Sequence, residues 1–94
     1  MKTIAEQTIL LIEDNKGDIR LLKEMLSELT DFRYKLIVAE TLHDGCEQLK
    51  NNAITFIMLD LNLPDSTGKQ TFDVLMNFAH NIPIVIFSEL NDEE

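Results

Sequence analysis

Four side chains in this sequence could do chemistry together. Glu13 and Asp14 follow the apolar run at residues 8–12, Asp60 ends the run that starts at Ile54, and Ser88 follows Ile84–Phe87. Short apolar runs bounded by turn residues read as buried strands, and a polar side chain at the end of such a strand sits at the lip of the sheet. Three strand ends can therefore converge on one small acidic site. A single carboxylate there is adequately explained as a solvated turn residue; three at successive strand ends are not. Like charges so close need a cation, and an oxygen-rich site suits Mg²⁺. A divalent ion would also shield Asp60 enough for a phosphoryl group to approach, because phosphoryl transfer depends mainly on positioning and charge neutralisation. The Ser88 hydroxyl is placed to donate to a phosphoryl oxygen.

The elements that must position these groups alternate along the chain. Residues 8–12 (TILLI) are continuously apolar, as expected of a central strand covered on both faces. Over residues 18–29, Ile19, Leu22, Met25, Leu26 and Leu29 recur at helical spacing, with Leu21 beside them and Arg20, Lys23, Glu24 and Glu28 left for water. Residues 33–39 alternate polar and apolar before turning apolar, as an edge strand does. Thr41 with Asp44 three residues on resembles a helix-entry cap. The helix it opens carries Leu42, Cys46 and Leu49 and ends near Asn51 and Asn52; Gly45 inside it costs about 1 kcal/mol relative to Ala, which predicts the weakest helix. After Asp60 the sequence predicts a turn through Pro64 and Gly68. A helix over residues 69–79 then places Phe72, Leu75, Met76 and Ala79 inward, and Asn81 ends it. Residues 82–87 (IPIVIF) form the fourth strand. Such alternation means parallel strands joined by right-handed crossovers with helices on both faces.

Composition narrows the function classes. The chain has 94 residues, 45% of them hydrophobic, which allows one small domain over residues 1–94. Its formal net charge of -9 repels nucleic acid and anionic membrane and favours cations or basic protein surfaces. Cys46 is the only cysteine, so no internal disulfide can form, and a reducing cytoplasm is the expected location. The thiol itself reads as small apolar filler. No apolar run approaches the roughly 18 residues needed to span a bilayer. His43 and His80 fall on crossover helices and read as surface or half-buried residues, while Met25, Met58 and Met76 fall at core periodicity.

Taken in order, TILLIEDN, LDLNLPDSTG and IPIVIFS resemble the receiver domain of two-component response regulators. The resemblance covers the whole chain. It implies a three-layer, flavodoxin-like α/β fold with a parallel sheet of strand order 2-1-3-4, and a phosphorelay role in signal transduction. By position, Asp60 would be the phosphoacceptor and Ser88 the switch hydroxyl. Glu13, Asp14 and Asp60 would hold Mg²⁺ together with the backbone carbonyl of Asn62. The expected partners are a histidine kinase or phosphotransfer protein and a downstream effector, and the domain would be no enzyme beyond assisting its own phosphorylation and dephosphorylation.

The resemblance also implies a helix, strand and helix after the Ser88 strand. The sequence ends at Glu94, so the expectation is a receiver truncated after its fourth strand, without the lysine that pairs with the phosphoryl group in the family. Glu89 stands where the family has a small residue, and residues 92–94 read as a solvated acidic tail. With no fifth strand, residues 82–87 become an exposed apolar edge, and the alternative function is a non-switching assembly module that self-associates. A Mg²⁺-dependent phosphatase with Asp60 as nucleophile is weaker, since such enzymes place an acid where this chain has Asn62.

Overall fold

The computed structural model describes residues 6–87. Four strands and three helices alternate: β1 (Gln7–Ile12), α1 (Lys16–Ser27), β2 (Tyr34–Ala39), α2 (Leu42–Asn51), β3 (Phe56–Asp60), α3 (Lys69–Met76) and β4 (Ile84–Phe87). All strand pairs are parallel, in the order β2-β1-β3-β4. Among the described residues, no helix is long and apolar enough to cross a membrane.

The continuous apolar character of β1 follows from its central position. Leu10, Leu11 and Ile12 are wholly buried, because the two faces of the strand are covered by different helices. Side chains alternate across the sheet. Leu10, Ile12, Ile57 and Leu59 join Leu42, Cys46, Leu75 and Ala79 in one core cluster beneath α2 and α3. On the opposite face, Ile9, Phe56 and Met58 line a groove with Leu26 and Leu29 at the α1 side. β2, at one edge, keeps the polar–apolar alternation that its sequence shows, with Lys35 exposed.

Each helix start has a local cause. Asn15 caps α1, its Oδ1 accepting from the Asp18 N–H at 2.9 Å, and Thr41 caps α2, its Oγ1 accepting from the Asp44 N–H at 3.0 Å. α3 opens at Gly68, whose φ of 67° and ψ of -150° are open to glycine at little steric cost. Glycine at position 45 answers a different need. A Cβ built there would lie 2.6 Å from Ile12 Cδ1 and 3.1 Å from Ile12 Cγ1. The glycine lets α2 lie directly on β1, a gain in packing that offsets its low helix propensity.

Several expectations need correcting. α1 starts two residues before Asp18 and ends before Leu29. Only Ile19 of its apolar stripe is buried; Leu21, Met25 and Leu29 are half or more exposed. Met25 is therefore not core filler, whereas Met58 and Met76 are half-buried. Helical spacing marks which residues share a face, and not how much of that face is covered. α3 ends at Met76 and not at Ala79: the N–H groups of Asn77 and Phe78 donate three residues back, to Val74 and Leu75, and tighten the last turn. Asn81 takes a left-handed φ of 63° in the turn that follows. β4 is shorter than expected because Pro83 brings no N–H to the ladder.

The Gly45–Ile12 contact predicts that Gly45→Ala destabilises the fold by about 1–2 kcal/mol through overpacking, despite alanine's better helix propensity. Ile12→Val removes the obstructing Cδ1. In urea unfolding, the double variant should therefore lose less stability than the two single losses added together. Strict additivity would show that the contact is not the constraint.

Candidate functional site

The parallel ladder brings the carboxylates together. Ile12 is level with Leu59 across the β1–β3 pair, so the next residues, Glu13 and Asp60, leave the sheet side by side. By alternation, Glu13 continues the row of Ile9 and Leu11, and Asp60 the row of Phe56 and Met58. Both carboxylates are buried, at 1% and 5% relative exposure, and Asp14 is half-buried beside them. One oxygen from each of Glu13, Asp14 and Asp60 lies within 4.8 Å of the other two.

Backbone donors hold two of the three in place. Glu13 Oε2 accepts from the Asn15 N–H at 2.9 Å, and Asp60 Oδ1 accepts from the Asn62 N–H at 3.0 Å. Burial first, and then the charge and hydrogen-bonding of Asp60, push the Glu13 carboxyl up to about 7 against the pull of the Asn15 N–H. The four ion pairs among the described residues join Lys16 to Glu40, Arg20 to Glu24, Lys50 to Glu47 and Lys69 to Asp73. None of them reaches the cluster. A proton on Glu13 or a bound cation would relieve the repulsion, and the all-oxygen donor set fits a hard divalent ion.

The three expected carboxylates are thus brought together, with Asn62 at the start of the loop that follows. In the β3–β4 pair, Phe87 is level with Asp60. Ser88 and Glu89, and the expected acidic tail at residues 92–94, lie outside the described residues. Lys69 is paired with Asp73 one helical turn on. His43 and His80 are exposed, and Cys46 is buried against the core.

Three residues that shape the site escaped the sequence reading. Asn15 both caps α1 and supplies the N–H that holds Glu13; its spacing from Asp18 is the same signal that marked Thr41 and Asp44. Thr71 is wholly buried, its hydroxyl donating to Leu61 O at 2.8 Å and sharing a hydrogen bond with Ser66 Oγ at 2.8 Å. Asp65 accepts from the N–H groups of Leu42 and His43. Nothing in the local sequence points to a partner 23 residues earlier in the chain.

Comparison with known proteins bears on the same residues. The profile of the response regulator receiver domain matches residues 9–94. The response regulator Rcp1 of Synechocystis sp. is 32% identical over 99 residues, with 94% of this chain and 65% of that protein covered. RR06 of Streptococcus pneumoniae is 31% identical over 86 residues, with 89% and 37% covered. The chain thus spans 65% and 37% of the lengths of these relatives. Among solved structures, the Mn²⁺-bound form of Rcp1 has a TM-score of 0.76 at 28% identity, covering 93% of this chain and 68% of that one. The phosphorylated cyanobacterial phytochrome response regulator RcpA has a TM-score of 0.74 at 29% identity, covering 89% and 66%. The sheet order, the acidic strand ends and these matches agree, and the chain belongs to the response regulator receiver family.

Proposed function

We propose that this chain is a phosphoacceptor module in which Asp60 takes a phosphoryl group from the phosphohistidine of a kinase or phosphotransfer protein. The observation that carries this reading is the cluster of Glu13, Asp14 and Asp60, two of them buried, at the ends of adjacent parallel strands. An Asp60 oxygen attacks phosphorus, the P–N bond to the donor imidazole breaks, and the imidazole leaves with that bonding pair while an acyl phosphate forms on Asp60. The Asn62 N–H, bound to Asp60 Oδ1, orients the carboxylate and leaves Oδ2 as the attacking atom.

Glu13, Asp14, Asp60 and the Asn62 carbonyl would hold Mg²⁺. When bound, the ion supplies charge neutralisation between these carboxylates and the phosphoryl oxygens. The Mn²⁺-bound state of Rcp1 and the phosphorylated state of RcpA support both parts of the reading. Ser88 would donate its hydroxyl to the phosphoryl group. The domain signals through contacts with a downstream protein and catalyses nothing beyond its own phosphorylation and dephosphorylation, and its place is the cytoplasm.

A second reading, an assembly module, is favoured by β4. That strand pairs with β3 on one side, carries no charged residue, and leaves Val85 and Ile86 at 45% and 46% exposure. Such an edge is a template for a second copy of the chain. In sedimentation at tens of micromolar, self-association that Val85→Lys abolishes supports this reading, and a stable monomer sinks it.

The phosphoacceptor reading predicts that a small-molecule phosphodonor with Mg²⁺ labels the chain, and that Asp60→Asn abolishes labelling. Labelling that survives the substitution, or none at high Mg²⁺, overturns it. A further expectation concerns pH. The folded pKa of Glu13 lies above its ordinary value, so its contribution to metal-free stability is fully present below about 4.5 and is lost as pH rises through about 7. In chelator, the melting temperature should therefore be higher at pH 5.5 than at pH 7.5, on the order of a few degrees, and Glu13→Gln should flatten that slope. Mg²⁺ needs the ionised carboxylates, so its stabilisation should grow over the same interval.

A further inference from the structure

The loop between β3 and α3 follows Asp60 directly, and most of its hydrogen bonds stay within it or go to the flanking elements. Leu63 N–H donates to Ser66 O at 2.7 Å and Gly68 N–H to Leu61 O at 3.0 Å. The Thr71 hydroxyl, on α3, reaches back to Leu61 O. Asp65 is the exception. Although exposed, it crosses to α2: Oδ1 accepts from the Leu42 N–H at 2.9 Å and Oδ2 from the His43 N–H at 3.0 Å.

Those N–H groups belong to the first turn of α2, where no intrahelical acceptor exists. The helix already has a cap in Thr41. As a cap, Asp65 is a second provision. As a tether it stands alone: among the described residues, no other side chain hydrogen-bonds the loop at residues 61–68 to an element beyond β3 and α3. Burial raises the Asp65 pKa, but the Leu42 and His43 N–H groups outweigh it and hold the carboxyl below its ordinary value. The group stays ionised and keeps both acceptors.

The helix it grips is the one that lies on β1. One turn into α2, Gly45 rests against Ile12, and Ile12 immediately precedes Glu13. A continuous path therefore runs from the loop holding Asn62, through Asp65 and the start of α2, to the strand end holding Glu13 and Asp14. The cluster draws its groups from both ends of that path. A hard cation needs its oxygens held to within a fraction of an ångström.

We infer that Asp65 is a positioning residue for the acidic site. By clamping the β3–α3 loop to the N-terminus of α2, it sets the Asn62 backbone relative to Glu13 and Asp14. This inference rests on the phosphoacceptor reading and extends it to a residue outside the cluster.

The test is Mg²⁺ titration by calorimetry on the unsubstituted chain and on Asp65→Ala, Asp65→Asn and Thr41→Ala, each with its own thermal melt. Asp65→Ala should weaken Mg²⁺ binding about tenfold, the scale of a lost supporting contact at a metal site. Asp65→Asn, whose amide keeps one acceptor and stays close to the native shape, should fall between. Thr41→Ala removes a cap from the same helix and should lower the melting temperature while leaving Mg²⁺ affinity unchanged. If Asp65 were only a cap, Thr41→Ala and Asp65→Ala would act alike on Mg²⁺, and that result overturns the inference. Unchanged affinity in both Asp65 variants overturns it as well. Failure of the unsubstituted chain to bind Mg²⁺ at all overturns the proposed function, and this inference with it.

Discussion

Parallel pairing of β1 with β3 forces Glu13 and Asp60 to leave the sheet together, and the chain around them must tolerate two buried like charges in contact. Left bare, such a pair is costly: Glu13 is driven towards its neutral form even with a backbone N–H supporting its charge. The protein offers no ion-paired Lys or Arg to the cluster among the described residues. An all-oxygen cluster of this kind fits a hard divalent cation, the basis of the function proposed for it.

Keeping those charges in place requires rigid surroundings, and the rigidity is unevenly distributed. Beneath α2 and α3 the core is closed: Leu10, Ile12, Ile57, Leu59, Leu75 and Ala79 are wholly buried, and Gly45 lets α2 settle onto Ile12. The α1 side is looser. Ile19 is the buried residue of that helix, and Leu26 and Leu29 face a groove of about 350 Å³ over Ile9, Phe56 and Met58. The rows that Glu13 and Asp60 continue lie on this α1 side of the sheet, opposite the closed core. Asp65 belongs to the firm half, since it ties the β3–α3 loop to α2.

Most of the fold was legible because it depends on patterns that repeat within one element. Continuous apolar runs marked β1 and β3, alternation marked β2 as an edge, and Thr41 with Asp44 marked the start of α2. The misplaced details depend on neighbours. Met25 and Leu29 share the helical spacing of core residues, yet both are half or more exposed among the described residues. Gly45 reads as a weak point in a helix until Ile12 is seen beneath it. The buried hydroxyl of Thr71 has no local marker, because its acceptor, Leu61 O, lies in a loop ten residues away.

For the site, chain order and residue type were enough to select Glu13, Asp14 and Asp60. Carboxylates at the same ends of adjacent central strands have few places to go once the strands are parallel, and strand–helix alternation implies a parallel sheet. What local sequence could not show was how the cluster is held. The N–H of Asn15 on Glu13, the N–H of Asn62 on Asp60 and the grip of Asp65 on α2 are hydrogen bonds, decided at the scale of 3 Å. Hydrophobic period and turn chemistry act along the chain and can be read from it. The directions in which Asp65 and Gly45 face act across the chain, over separations of more than twenty residues, and only the packed tertiary structure decides them.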